Sequence, residues 1–303
     1  MFDVIIIGGG PAGLSAAIYA KRAGLETAVI EKATAGGQIS QTHKLENYLG
    51  FENGISGADF AADSLAQAKR FGVVFISDEV VDLELEGEVK KVTTLGSTYE
   101  AKSIILALGV SPRKLEIPGE AELTGMGVSY CATCDGAFFK GLPVAVIGGG
   151  DTAFEEALYL SDIASDVYLI HRRDAFRAQQ YLVDIAEKKE NIHFIKDTIP
   201  LEIQGDFEVE GLLVKNVKTE EKKVLDVAGV FVAAGHIPGT DLLNGKVDLD
   251  AQGYVIADED TRTNIENVFA AGDVRTKSLR QVITAAADGA VAATAAFAGI
   301  KLK

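Results

Sequence analysis

One pattern of apolar and polar positions occurs twice in this chain. Phe2–Ile7 is a short apolar run, followed by Gly8-Gly9-Gly10-Pro11-Ala12-Gly13, by apolar residues at helical spacing through Ala23, and by a second apolar run at 27–30. The second copy starts with the apolar run 142–147, passes through Gly148-Gly149-Gly150-Asp151-Thr152-Ala153, keeps helical spacing through Leu160 and ends in Val167–Ile170. Buried strand, glycine turn, helix and buried strand make a βαβ unit, and two such units predict two parallel sheets. The copies lie about 140 residues apart, too far for a solenoid repeat. The expected fold class is α/β, with two Rossmann-like, three-layer dinucleotide-binding domains.

The second unit reads as an insertion into the first. A buried strand at 103–109 is broken by Ser111-Pro112-Arg113, and another at 229–234 is followed by Gly235-His236-Ile237-Pro238-Gly239. Pro and Gly at both places mark linkers. Crossings are expected near 110–115 and 237–243, with one domain over 1–112 plus 241–303 and the other over 113–240. The alternating segment 77–99 predicts an antiparallel hairpin turning at Gly87, and alanine-rich 285–298 predicts a closely packed helix.

A length of 303 residues suits two domains. The net charge of −15 disfavours nucleic acid and anionic membranes as partners, so any local cluster of Arg stands out. There is no signal-like charged segment followed by an apolar core, and no run of the roughly 18 apolar residues needed to span a bilayer. A cytoplasmic location is expected.

The two cysteines stand together as Cys131-Ala132-Thr133-Cys134. In a reducing compartment such a pair is rarely a structural staple. One pair cannot complete a structural zinc site, and His43, His171, His193 and His236 are not spaced as metal pairs. A redox-active pair is expected and no metal, although half of a metal site completed by His remains the alternative.

The glycine loops answer the need of a pyrophosphate for backbone N–H groups at a helix N-terminus. Gly8, Gly10 and Gly13 supply the first loop, and Glu31 stands about 20 residues on, where a carboxylate accepts from ribose hydroxyls. Gly148, Gly150 and Ala153 supply the second. There the ribose-reading position carries His171-Arg172-Arg173-Asp174-Ala175-Phe176-Arg177 in place of an acid. Three Arg in six positions suit a 2′-phosphate, which predicts NADPH over NADH; a solvated basic turn is the bland alternative.

Taken together, these motifs resemble the low-molecular-weight thioredoxin reductases of bacteria over essentially the whole chain. The resemblance is carried by Gly8–Gly13, Glu31, Gly36-Gly37-Gln38, Glu46-Asn47-Tyr48, Cys131–Gly136, 148–157, 171–178, Ala271-Gly272-Asp273 and Arg280-Gln281-Val282. It implies a homodimer whose subunits each bind FAD and NADPH and reduce thioredoxin. It also implies that Asp273 binds the ribityl chain, that Gln281 and Val282 contact the isoalloxazine, that Cys134 faces the flavin and that Cys131 exchanges with thioredoxin. Pro11, Ala12, Lys32, Val80, Gly109, Asp151, Thr152, Glu155 and Gly235 complete the candidate cofactor-binding set. Gly239 departs from the Asn expected after Ile237-Pro238, which touches a linker and not the chemistry.

The expected route runs from NADPH through FAD to the Cys131–Cys134 disulfide and then to thioredoxin. Asp135, next to Cys134, is the candidate proton donor, with a turn residue before Gly136 as the alternative. The nicotinamide and the disulfide must both reach the flavin, so the inserted domain is expected to rotate about its linkers. Other flavoenzymes share parts of this pattern. The flavin half of an alkyl hydroperoxide reductase usually carries an extra N-terminal domain, ferredoxin–NADP reductase of similar fold lacks the cysteine pair, and a redox sensor would not need both sites.

Overall fold

The structure, a computed structural model of the chain, describes residues 1–42, 44–243 and 245–302. The chain separates into two compact units, Met1–Ser111 with Ile237–Lys303, and Pro112–His236.

The first unit opens with β1 (Phe2–Ile7), α1 (Pro11–Arg22) and β2 (Thr27–Glu31), and continues with α2 (Gly57–Arg70) and β3 (Val74–Ser77). Then come β4 (Val80–Glu84), β5 (Lys90–Thr94) and β6 (Thr98–Leu106). Strands run in the order β3-β2-β1-β6-β5-β4, with β1, β2, β3 and β6 mutually parallel and β4, β5 and β6 antiparallel. The hairpin expected over 77–99 is thus β4–β5 around Gly87, and its flanks belong to other strands: Ser77 ends β3 and Tyr99 lies in β6.

The chain leaves this unit through β7 (Val110–Pro112) and returns through β16 (His236–Pro238), and the two crossings pair with each other. The Pro-containing breaks expected there are therefore short extended strands. An extended backbone satisfies the fixed φ of proline while neighbouring residues keep their hydrogen bonds.

Between the crossings lie β8 (Val128–Ser129), α3 (Ala132–Asp135), β9 (Val144–Ile147), α4 (Asp151–Ser161), β10 (Val167–Ile170), α5 (Gln180–Ala186) and β11 (Ile192–Ile195). A three-stranded antiparallel meander follows, β12 (Thr198–Gln204), β13 (Gly211–Asn216) and β14 (Lys222–Leu225), then β15 (Gly229–Val232). The parallel sheet has the order β11-β10-β9-β15-β8, which repeats β3-β2-β1-β6 with β9 in the place of β1. In the first unit β17 (Val268–Ala270) pairs with the C-terminal half of β6, as β8 pairs with β15. The last helix is α6 (Val282–Lys301).

Alternation along the central strands builds the layers. Val4 and Ile6 join the core with Leu14, Ala16 and Ala292 from α1 and α6, while Ile5 and Ile7 face Leu83, Val92 and Val255. In the second unit Val144 and Val146 pack on Phe154 and Leu160 of α4, and Ala145 and Ile147 on Leu212 and Val214 of the meander. Each unit is thus helix layer, parallel sheet and antiparallel strands.

By length and composition α6 is apolar enough to cross a membrane, which corrects the expectation that no such stretch exists. Its composition has a packing reason. A Cβ at Gly289 would stand 2.1 Å from the carbonyl oxygen of Ala12, so α6 lies directly on α1, and the Ser15 hydroxyl donates to the Ala286 carbonyl at 2.6 Å.

Candidate active site

The redox turn follows the edge strand β8. Cys131 is the N-cap of α3 and is joined to Cys134 in a disulfide with Cα atoms 5.3 Å apart. The backbone N–H groups of Cys134 and Asp135 both donate to the Cys131 carbonyl, at 3.2 and 3.1 Å. Ser129 ties the turn together from the strand side: its Oγ lies 2.6 Å from Asp135 Oδ2 and accepts from the Cys131 N–H at 3.1 Å. On the other side Tyr130 donates to Glu120 at 3.0 Å, and the 2 % exposed Glu120 also accepts the N–H groups of Leu115 and Glu116. Burial and the neighbouring carboxylate push the Tyr130 phenol up to about 12, so it stays a donor. The fully buried Ala132 and the buried Gly136 seat the turn on α4, where a Cβ at Gly136 would meet Leu160 and Tyr159 at 3.0 and 3.1 Å.

The second glycine loop joins β9 to α4, and the basic turn after β10 is tied to it. Arg177 donates its backbone N–H to the Gly149 carbonyl at 2.8 Å, and Asp151 accepts both the backbone N–H and the side-chain amide of Gln179, at 2.7 and 3.0 Å. Those two bonds hold the Asp151 carboxyl below its ordinary range. The His171 ring packs on Gly149, where any Cβ would clash at 2.3 Å. Burial lowers the His171 pKa against the raising influence of the Ala175 backbone, and the positive charges of Arg177, Arg172 and Arg173 lower it further. All three Arg are exposed, while the nearby Asp174 and Asp197 pair with Lys218. A Cβ at Gly150 would meet no protein atom, so packing within the chain does not require glycine there. An open glycine beside exposed guanidinium groups fits close approach by a phosphorylated ligand. Thr152 and Glu155 lie exposed on the first turns of α4.

The first glycine loop joins β1 to α1, with Pro11 opening the helix where its missing N–H costs nothing. Gly8 sits at φ 108°, and a Cβ at Gly13 would stand 1.9 Å from the Gly8 carbonyl, so the turn closes only without side chains. Glu31 at the end of β2 accepts from the Gly9 N–H at 2.7 Å and from the Ala33 N–H at 2.8 Å. Beyond the ribose role expected for it, this carboxylate therefore braces the loop. Gly36 donates to the Gly9 carbonyl at 2.8 Å, bringing Gly36-Gly37 against the loop, and Gln38 donates to the Val110 carbonyl. Asn47 donates to Gln281 at 3.0 Å, and Gln281 is the N-cap of α6 in a capping box with Thr284. Val282 packs against the buried cluster of Ile39, Leu45 and Phe60, which Tyr48 and Phe51 also cover.

Asp273 lies in the short turn after β17. Its Oδ1 is buried with no hydrogen-bond partner, and burial raises its pKa against the lowering influence of Lys277 and Arg280. The turn is held by Asp288 of α6, which accepts from the Gly272 N–H at 3.0 Å, from Arg275 at 3.1 Å and from Lys277 at 2.8 Å. Arg280 reaches the Asp273 carbonyl at 3.3 Å and stacks 4.1 Å from the Tyr254 ring. An orphaned buried acceptor next to the braced Gly272 fits a hydroxyl-bearing ligand. Of the other candidates, Lys32 forms a surface ion pair with Glu79, Val80 begins β4, and Gly109 and Gly235 stand at the crossings. His43, one of the four histidines considered for a metal, lies outside the described residues.

Ser129, Glu120, Asp288 and Glu156 were not legible as site residues. Ser129 carried one signal, its place two residues before Cys131, and Glu156 another, its place after Glu155 in the segment 148–157.

A family profile described as pyridine nucleotide-disulphide oxidoreductase matches residues 2–289. The thioredoxin reductase of Streptomyces coelicolor is 49% identical over 96% of this chain and 91% of its own length, and that of Peptoclostridium acidaminophilum is 46% identical over 98% and 96%. The crystal structure of thioredoxin reductase from Streptococcus pyogenes superposes with a TM-score of 0.96 at 42% identity, covering 100% of this chain and 99% of that one.

Proposed function

Because this chain belongs to the pyridine nucleotide-disulphide oxidoreductase family, we propose that it is a thioredoxin-disulfide reductase that takes electrons from NADPH through FAD. The observation that carries the proposal is the Cys131–Cys134 disulfide at the head of α3, in the same unit as the basic turn.

FAD belongs to the first glycine loop, with Glu31, Gly36, Gly37, Gln38, Asn47, Asp273, Gln281 and Val282 as its contacts, and Asp273 Oδ1 taking a ribityl hydroxyl. NADPH belongs to Gly148–Gly150, with Arg172, Arg173 and Arg177 on the 2′-phosphate. When bound, the flavin accepts hydride from NADPH and hands an electron pair to the disulfide.

The chain's own residues do the rest. Reduction breaks the Cys131–Cys134 bond and leaves two sulfurs on a turn braced by Ser129, Tyr130 and Ala132. The Cys131 thiolate attacks the disulfide of thioredoxin, displacing one of its sulfurs and forming a mixed disulfide. Cys134 then attacks Cys131, re-forms the internal disulfide and releases thioredoxin as a dithiol. Asp135, oriented by Ser129, gives a proton to the departing sulfur. The NADPH and disulfide sites share one unit and the FAD site lies in the other, so turnover requires the inserted unit to turn about its crossings. A homodimer working in the cytoplasm completes the proposal, supported by the family resemblance.

The test is to purify the protein, record its visible spectrum for bound flavin, titrate it anaerobically with NADPH and NADH, and add thioredoxin. Flavin bleaching by NADPH followed by a thioredoxin dithiol is the expected result. Bleaching without any thioredoxin dithiol excludes this substrate.

A further inference from the structure

Glu156 lies on α4 beneath the redox turn. Its Oε1 accepts from the backbone N–H of Ala132 at 3.4 Å, one residue after Cys131, and its Oε2 is shut off from solvent without a hydrogen-bond partner. No step described above uses this carboxyl. We infer that Glu156 is a positioning residue for the redox centre, taking up one of the protons that accompany opening of the Cys131–Cys134 disulfide and releasing it when the disulfide re-forms. The inference rests on the proposal that this disulfide cycles during turnover.

An electron pair delivered to a disulfide leaves negative charge on sulfur. An ionised carboxylate in the same poorly solvated place opposes that charge, and a protonated one does not. The balance is simple. The disulfide and an ionised Glu156 take up two electrons and two protons. One proton goes to Glu156, the other to one sulfur, and the second sulfur remains the thiolate that attacks thioredoxin. Net charge at the site is unchanged. In the working enzyme the electrons come from the reduced flavin, and the protons come from solvent.

Burial raises the Glu156 pKa to about 7, outweighing the lowering by the Ala132 N–H, and Glu155 adds a smaller increase. The carboxyl is thus poised to change state near neutral pH. The titratable groups on the elements packed against α4 are the cysteines and Asp135 on α3, Tyr168 on β10, Tyr181 and Asp184 on α5 and His193 on β11; β9 carries none. His193 pairs with Asp166 at 2.8 Å, and Asp135 is engaged by Ser129. Among the described residues no cation pairs with Glu156.

The test poises the flavin-loaded enzyme in dithiothreitol buffers of varied oxidation and pH, and reads the Cys131–Cys134 couple from alkylated thiols by mass spectrometry. Glu156→Gln keeps the acceptor for Ala132 but cannot take a proton. Between about pH 8 and 9, where Glu156 beside the disulfide is ionised, the potential of the wild type should follow two protons per electron pair and that of the variant one. Equal slopes overturn the inference. A second readout uses the wild type alone. The reduced-minus-oxidised infrared difference spectrum near neutral pH should contain a protonated carboxyl band that moves when glutamate is labelled with carbon-13 at the side-chain carboxyl. An absent or unmoved band overturns the inference even if Glu156→Gln fails to fold. Because dithiothreitol sets the potential, failure here leaves NADPH-driven thioredoxin reduction as a separate result.

Discussion

The hydroxyl of Ser129 stands 2.6 Å from Oδ2 of Asp135, across the turn that carries both cysteines. The same Oγ accepts the Cys131 N–H, so a single small side chain fixes the acid relative to the disulfide. Asp135→Asn should slow thiol–disulfide exchange by roughly 10²–10⁴-fold, the usual worth of general acid–base catalysis. Ser129→Ala should cost about 10–100-fold, since it removes one hydrogen bond to a charged group. The double variant should be no slower than Asp135→Asn, because Ser129 acts through Asp135. Additive losses in stopped-flow exchange would separate the two residues.

Hydride transfer to flavin needs no cysteine, whereas delivery to a protein disulfide does. Cys131→Ser and Cys134→Ser should each abolish thioredoxin reduction and leave flavin bleaching by NADPH intact. The Cys134→Ser protein should trap thioredoxin as a mixed disulfide visible on a non-reducing gel. Wild-type turnover by either variant would remove the pair from the mechanism.

If Arg172, Arg173 and Arg177 hold the 2′-phosphate as proposed, they discriminate through charge-assisted bonds of about 1.5–3 kcal/mol each. An Arg172→Ala/Arg173→Ala double variant should therefore lose on the order of 10²–10⁴ in preference for NADPH over NADH, read as the ratio of kcat/KM values. Undiminished discrimination would make the basic turn a solvated surface feature.

Asp273→Ala should weaken flavin retention by about 10–150-fold in a dialysis titration, the worth of one hydrogen bond to a charged acceptor. The flavin-stripped protein adds a pH signature. Burial raises the Asp273 pKa, so its contribution to stability is complete below the ordinary value of 3.8 and is lost as pH rises through the raised one. Wild-type Tm, compared with that of Asp273→Asn, should fall as pH climbs above 3.8. Parallel curves would mean that the carboxyl is not buried in solution.

The proposed rotation of the inserted unit would take place at the crossings β7 and β16. A cross-link engineered between the two units should leave one half-reaction, flavin bleaching or disulfide reduction, and stop multiple turnover with thioredoxin. Normal cycling of the locked protein would exclude the rotation.

The α/β class was legible because it rests on local patterns. The strand periodicity of Phe2–Ile7, the glycine loop before Pro11 and the copy at 148–153 each express their geometry within a dozen residues. The cysteine pair and the Arg turn were legible for the same reason. The tertiary structure decided what depends on packing between distant segments. Asp288 braces Gly272 from α6, Glu120 anchors Tyr130 from ten residues upstream, and Glu156 meets Ala132 across 24 residues. The second role of Glu31, the pairing of the two crossings and the replacement of a helix layer by antiparallel strands belong to the same group. None of these has a periodic signature, because a hydrogen bond through space constrains only where two side chains end, not the residues between them. The chain's own pattern thus determined the two glycine loops and the place of the cysteine pair, and the packing of each unit determined which carboxyls stand beside them and how burial shifts them.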